Sequence, residues 1–145
     1  ILKEYNIKAT VYICKNYSNK KLLSEVEIKE MVKSGLVEFA AHTLNHTNLT
    51  KVDLKTSKKE MVESKKFVES LTGKECASFA YPYGKYKYYH LVQVSEAKFD
   101  NAVIIGHKVY NYDIRNRFAI PRIEPRGAMN ILQFKILMLF GKYKV

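Results

Sequence analysis

Two histidines, His42 and His46, stand four residues apart in the segment Phe39-Ala40-Ala41-His42-Thr43-Leu44-Asn45-His46. Residues 37–41 are short and apolar and read as a strand, so both histidines leave its C-terminal end on a tight loop. Imidazoles in that arrangement can aim at one cation; zinc suits them, and cobalt or nickel suit them less selectively. Two ligands make half a site, because a catalytic zinc normally takes three protein ligands and a water. The plainer reading is a pair of polar loop histidines, one bonded to a backbone carbonyl. A second bend of interest is Tyr81-Pro82-Tyr83-Gly84. Proline fixes its own φ and glycine permits a sharp turn, which also describes an ordinary strand ending.

The elements that must position these residues alternate. Residues 7–13 are β-branched and aromatic and predict a strand, with 2–5 before it as the tail of a helix. Ser24 with Glu27 makes a capping box ahead of Ile28, Met31, Val32 and Leu36, and Gly35 is the stop. Residues 54–71 predict a long helix with Met61, Val62, Val68 and Leu71 on its buried stripe and Gly73 past its end. Residues 77–81 form a third strand and 88–97 another helix, with Leu91, Val92 and Val94 facing inward. Residues 102–105 and 118–123 predict further strands, while 131–140 is apolar without a period that separates helix from strand. Such alternation means an α/β fold with a parallel sheet, either open and doubly wound or closed as a barrel. In both, function sits on loops at the C-terminal strand ends, here the loops after Ala41, Tyr81 and Ile105.

Composition narrows the classes. The 145 residues carry 25 Lys+Arg against 14 Asp+Glu, a net charge of +11, with 47% hydrophobic residues, so the chain is globular and not disordered. No apolar run nears the ~18 residues of a membrane span. Two cysteines, Cys14 and Cys76, exclude a disulfide scaffold and read as buried free thiols. The lysines are scattered and form no block, which fits a solvated basic surface with no nucleic-acid partner expected. Tyr81, Tyr83, Tyr86, Tyr88 and Tyr89 interleave with Lys85 and Lys87, a pattern suited to stacking on bases or on sugar rings.

His42-Thr43-Leu44-Asn45-His46 resembles the His-Ser/Thr-x-x-His motif of the polysaccharide deacetylases, the NodB-homology family of carbohydrate esterases. The likeness extends in order through residues 2–13, Asn48-Leu49-Thr50, Glu60, Ser64-Lys65, Thr72-Gly73, Phe79-Ala80-Tyr81-Pro82-Tyr83-Gly84 and Ile120-Pro121-Arg122-Ile123. It is nearest the branch that deacetylates poly-N-acetylglucosamine exopolysaccharides. The resemblance implies a deformed (β/α) barrel and metal-dependent hydrolysis of acetamide groups on an N-acetylglucosamine-containing polysaccharide. It also implies Zn2+, or another divalent metal such as Co2+ or Ni2+, on His42 and His46 together with one aspartate. A second, adjacent aspartate would be the general base. The Tyr83 N–H would help hold the oxyanion, with Tyr81, Pro82 and Tyr83 against substrate. An extracellular or cell-surface location follows from the same likeness, with a targeting signal or anchor expected upstream of Ile1.

The sequence departs from the family pattern in three places. The adjacent aspartates belong to a strand ahead of residues 2–5, and Asp53, Asp100 and Asp113 sit in no matching motif. Residues 1–145 are therefore expected to form one partial domain, a barrel without its first strand and weak or inactive alone. Ala80 stands where the family has an arginine, and Arg122 is the candidate to supply that guanidinium. The motif bearing the general-acid histidine is not visible; His107 is the positional candidate, while His90 is expected to pack or face solvent. The alternative function is a non-catalytic carbohydrate- or polyanion-binding module using the same cleft.

Overall fold

The computed structural model describes residues 1–17, 22–106, 109 and 116–141. A one-turn helix α1 (Leu2–Tyr5) precedes β1 (Ala9–Ile13), α2 (Glu25–Lys33), β2 (Val37–Ala41) and α3 (Leu54–Thr72). The chain continues through β3 (Ser78–Ala80), α4 (Tyr88–Glu96), β4 (Asn101–Ile105), β5 (Ile120–Arg122) and α5 (Ile131–Phe140). All five strands are parallel and lie in chain order in one sheet. A doubly wound sheet reverses its order at a switch point. This sheet never reverses, so it is a barrel wall, with β1 and β5 as its outer strands among the described residues.

Strand alternation sorts the two faces. Val11, Ile13, Phe39, Ala41, Phe79 and Tyr81 point to the helices and join Met61, Val68 and Val94 in the core. The other face is smaller and more polar. There the Tyr12 hydroxyl donates to Ser78 Oγ at 2.8 Å, since the Ser78 proton is given to Asn101 Oδ1 at 2.6 Å.

Local chemistry fixes the helix limits. The Ser24–Glu27 box closes as read, with Ser24 N donating to Glu27 Oε2 at 2.7 Å. Asp53 caps α3 by accepting from Thr56 N at 2.6 Å, and Gly73 ends that helix in the left-handed region. Capping also decides the ambiguous tail. Asn130 and Gln133 bond reciprocally and Gly141 stops the last turn, so residues 131–140 are helical. Only Leu137 of α5 is buried, so its apolar residues lack the one-sided stripe that reveals a helix in sequence.

Helix α4 departs from expectation. Val92 is 49% exposed, and the buried positions are His90, Gln93 and Val94. The polar pair can be buried because it is bonded. Gln93 accepts from Ser57 Oγ and donates to the Leu54 carbonyl, both at 2.8 Å, and His90 Nδ1 accepts from Lys87 N at 2.8 Å. His90 Nε2 faces the Leu49 carbonyl without reaching bonding geometry, and burial depresses the pKa of this imidazole. Cys14 and Cys76 are both free, the latter buried and its thiol pushed up to about 11 by desolvation.

Candidate metal centre at the strand ends

The register brings the candidate residues to one rim. Ile13 pairs with Ala41, Ala41 with Phe79, Ala80 with Val103 and Ile105 with Arg122. His42, the Tyr81–Gly84 bend and Arg122 therefore all emerge at the C-terminal edge of the sheet. His42 N still donates to the Ile13 carbonyl at 3.0 Å, so the ladder holds the first histidine rigidly.

His42 Nδ1 lies 2.7 Å from the Ala80 carbonyl. A carbonyl only accepts, so Nδ1 carries the proton and Nε2 keeps a free lone pair. Burial, outweighing that bond, and then the nearby His46 and Arg122 hold the His42 pKa down at about 4. His46 is depressed in the same direction by burial. Both rings are therefore neutral at neutral pH, the state in which imidazole binds metal.

His46 sits among three rings. Its centroid is 4.9 Å from His42, 5.0 Å from Tyr83 and 4.5 Å from Tyr17, with interplanar angles of 69°, 70° and 72°. The two loop histidine rings thus meet edge-on beside the second bend. A cleft of about 470 Å³ opens next to them, with Tyr12, Cys14, Lys15 and Tyr17 on its wall. Among the described residues, no group of three or more His, Cys, Asp or Glu could hold a metal ion.

The histidine loop is bent by two left-handed residues, Thr43 at φ 60° and His46 at φ 54°. It is tied down from three sides. Thr43 Oγ1 accepts from Thr47 N at 3.0 Å, and the Leu44 carbonyl accepts from Lys15 N and Asn16 N at 2.9 and 3.1 Å. Glu60 of α3 accepts from Leu44 N, Asn45 N and Asn45 Nδ2 at 2.9, 3.0 and 2.6 Å.

The second bend is held in the same manner. Gly84 N and Lys85 N donate to the Tyr81 and Pro82 carbonyls, and neither bond uses the Tyr83 N–H. Tyr83 takes φ 60° and is 56% exposed. Gly84 is required twice over, by its φ of +64° and because a Cβ there would lie 2.8 Å from Ile105 N.

The expected site residues divide accordingly. His42, His46 and Tyr83 come together, whereas Pro82, at the same bend, is fully buried and offers substrate no surface, contrary to the substrate-contact expectation. The Arg122 side chain is exposed on the same rim, its guanidinium 5.3 Å from the Tyr12 ring centre. Tyr81 does not present its ring there, contrary to the substrate-contact expectation. The strand alternates, Ala80 takes the rim face, and Tyr81 is fully buried against Phe79 and Tyr86. Its hydroxyl has no partner among the described residues, and desolvation raises its pKa. His107 lies outside the described residues.

Sequence reading missed the bonding of Glu60 to the histidine loop and the placement of Tyr12 and Tyr17. One signal for Glu60 was available. It interrupts a stripe of small and apolar residues (Ser57, Met61, Ser64, Val68) that is buried on α3, and a buried carboxylate needs partners.

A parallel barrel wall with a loop-borne imidazole pair defines a class of α/β proteins that act at their strand ends. Comparison with known proteins makes the class specific. The polysaccharide deacetylase family model matches residues 1–102, and the chain belongs to that family. It is 32% identical over 137 residues to the poly-beta-1,6-N-acetyl-D-glucosamine N-deacetylase of Staphylococcus aureus strain MRSA252, covering 85% of this chain and 47% of the relative. The chain thus spans about half the length of the curated relatives it matches. Deacetylase PplD of Streptococcus pyogenes, solved with acetate, superposes with a TM-score of 0.84 at 23% identity, over 94% of this chain and 61% of that one. A polysaccharide deacetylase from Bacillus cereus superposes with a TM-score of 0.78 at 26% identity, over 91% and 42% of the two chains.

Proposed function

We propose that this chain takes part in metal-dependent hydrolysis of acetamide groups on an N-acetylglucosamine-containing polysaccharide, with His42 and His46 as two of the metal's ligands. One observation carries the reading: the Ala80 carbonyl fixes the His42 tautomer with Nε2 free, and the His46 ring lies 4.9 Å away. That is the outer-sphere arrangement that orients a ligating histidine.

The donor set fits a borderline metal such as zinc, cobalt or nickel. It fits in part, since two imidazoles leave room for a carboxylate and for water. The aspartate ligand and the aspartate base of the family have no counterpart at this site among the described residues. A bound divalent metal would lower the pKa of its water to ~7 and polarise the acetamide carbonyl.

The chain's own residues then take these roles. His42 and His46 bind through imidazole nitrogens. The Tyr83 N–H, unused by its own turn, serves as an oxyanion donor, and the exposed Tyr83 ring bounds the acetyl end of the substrate, while buried Pro82 shapes the bend from behind. Arg122 supplies positive charge at the rim, and His107 is the candidate proton donor to the leaving amine. Tyr81 contributes through its main chain alone. The activity belongs outside the cell or at its surface, where such polymers lie. No helix among the described residues is long and apolar enough to cross a membrane.

Co2+ titration, followed by absorption, tests the reading. His42→Ala is expected to abolish most cobalt binding, and equal uptake by variant and parent would refute the assignment. With the full-length protein, acetate release from N-acetylglucosamine oligomers should stop with chelator and return with added metal. Oligomer binding that survives His42→Ala, with no acetate released, would instead favour the binding-module alternative.

A further inference from the structure

Glu60 makes three hydrogen bonds, and all three go to the loop between the two histidines. It is a glutamate on a helix, 8% exposed, and it has no bridging cation among the described residues. A carboxylate withdrawn from water in this way must be satisfied by its acceptor bonds, and two consecutive main-chain N–H groups with a side-chain amide do that. The loop needs such a partner. Thr43 is β-branched and left-handed, and His46 is left-handed as well. Each such residue is strained and persists only where its surroundings over-determine it.

We propose that Glu60 is the positioning residue that sets the two imidazoles against each other, by holding the Leu44–Asn45 peptide so that the chain turns back at His46. The chain of bonds continues outward. Asn45 Oδ1 accepts from Asn16 Nδ2 at 2.7 Å, so the Asn45 amide is oriented from both sides and its NH2 must face Glu60. Glu60 touches no expected ligand and acts through the loop. The consequence for metal affinity rests on the proposed function above; the consequence for ring geometry does not.

Glu60→Gln separates positioning from loss of the fold. The new amide oxygen can take the main-chain N–H groups, but its NH2 then meets the NH2 of Asn45, donor against donor. In the metal-free full chain, NMR contacts between the His42 and His46 rings should weaken in Glu60→Gln while the far-UV spectrum shows the fold retained. With Co2+ alone as probe, affinity should fall by ~10-fold or more, the usual effect of losing an outer partner. Adding Asn45→Asp gives that NH2 a carboxylate to bond, and ring contacts and cobalt affinity should both recover. Should Glu60→Gln keep the ring contacts and the parent's affinity, or should the double variant fail to recover them, Glu60 is not the positioning residue. A parent chain that takes up no cobalt would overturn the metal reading, and the metal-free ring contacts would still decide Glu60.

Discussion

Acidification is the perturbation that most directly reads the environment of His42. Its Nδ1–H is committed to Ala80, so a second proton must go to Nε2 and place a cation in a desolvated site facing His46 and Arg122. The folded-state pKa lies at about 4 against an ordinary value of 6.5. Between those values the unfolded chain binds more protons than the folded one, so stability rises with pH. The contribution is complete above about pH 6.5, is lost as pH falls and levels off below about 4. At pH 4.5 the loss from this residue is ~2 kcal/mol after allowing for the ring's partial access to solvent. Two measurements check it. The His42 ring protons should titrate far below those of a free imidazole. Urea unfolding should show a stability drop between pH 7 and 4.5 that is shallower in His42→Gln. A His42 midpoint near 6.5, or identical pH slopes for the two proteins, would refute the argument.

Other perturbations test single contacts. Gly84→Ala puts a Cβ against the Ile105 backbone at a left-handed position, and should lower unfolding free energy by about 2–4 kcal/mol in urea titrations. Asp53→Ala removes the α3 cap, with its bond from Thr56 N, and should lower the urea midpoint. Arg122→Gln removes a charge that opposes protonation of His42, so the His42 pKa should rise, which an NMR titration would detect.

What the sequence made legible was local. The strand–helix alternation, the Ser24–Glu27 box and the Gly73 stop all rest on residues a few positions apart, and each is found in the structure. The His42–His46 spacing was visible for the same reason. The Val92 expectation failed because it assumed that apolar residues face inward. The Ser57–Gln93 bond joins two helices, and it lets a polar face be buried instead. The tail stayed ambiguous because its helix covers little, and its capping box carried more information than its hydrophobicity.

The site was legible only in halves. Each bend could be read as a turn, yet their meeting depends on the pairing of β2, β3 and β4, which no window of sequence contains. The bond between His42 and Ala80 spans thirty-eight positions. This contact gives the Ala80 position meaning despite its lack of a functional side chain, because its carbonyl fixes the tautomer of the first histidine. A substitution at Ala80 that preserves the strand should therefore leave the His42 tautomer intact. A shift of the β2–β3 register by one residue should destroy it with every site residue still present. The chemistry of this rim is set by registration of the sheet as much as by the residues it displays.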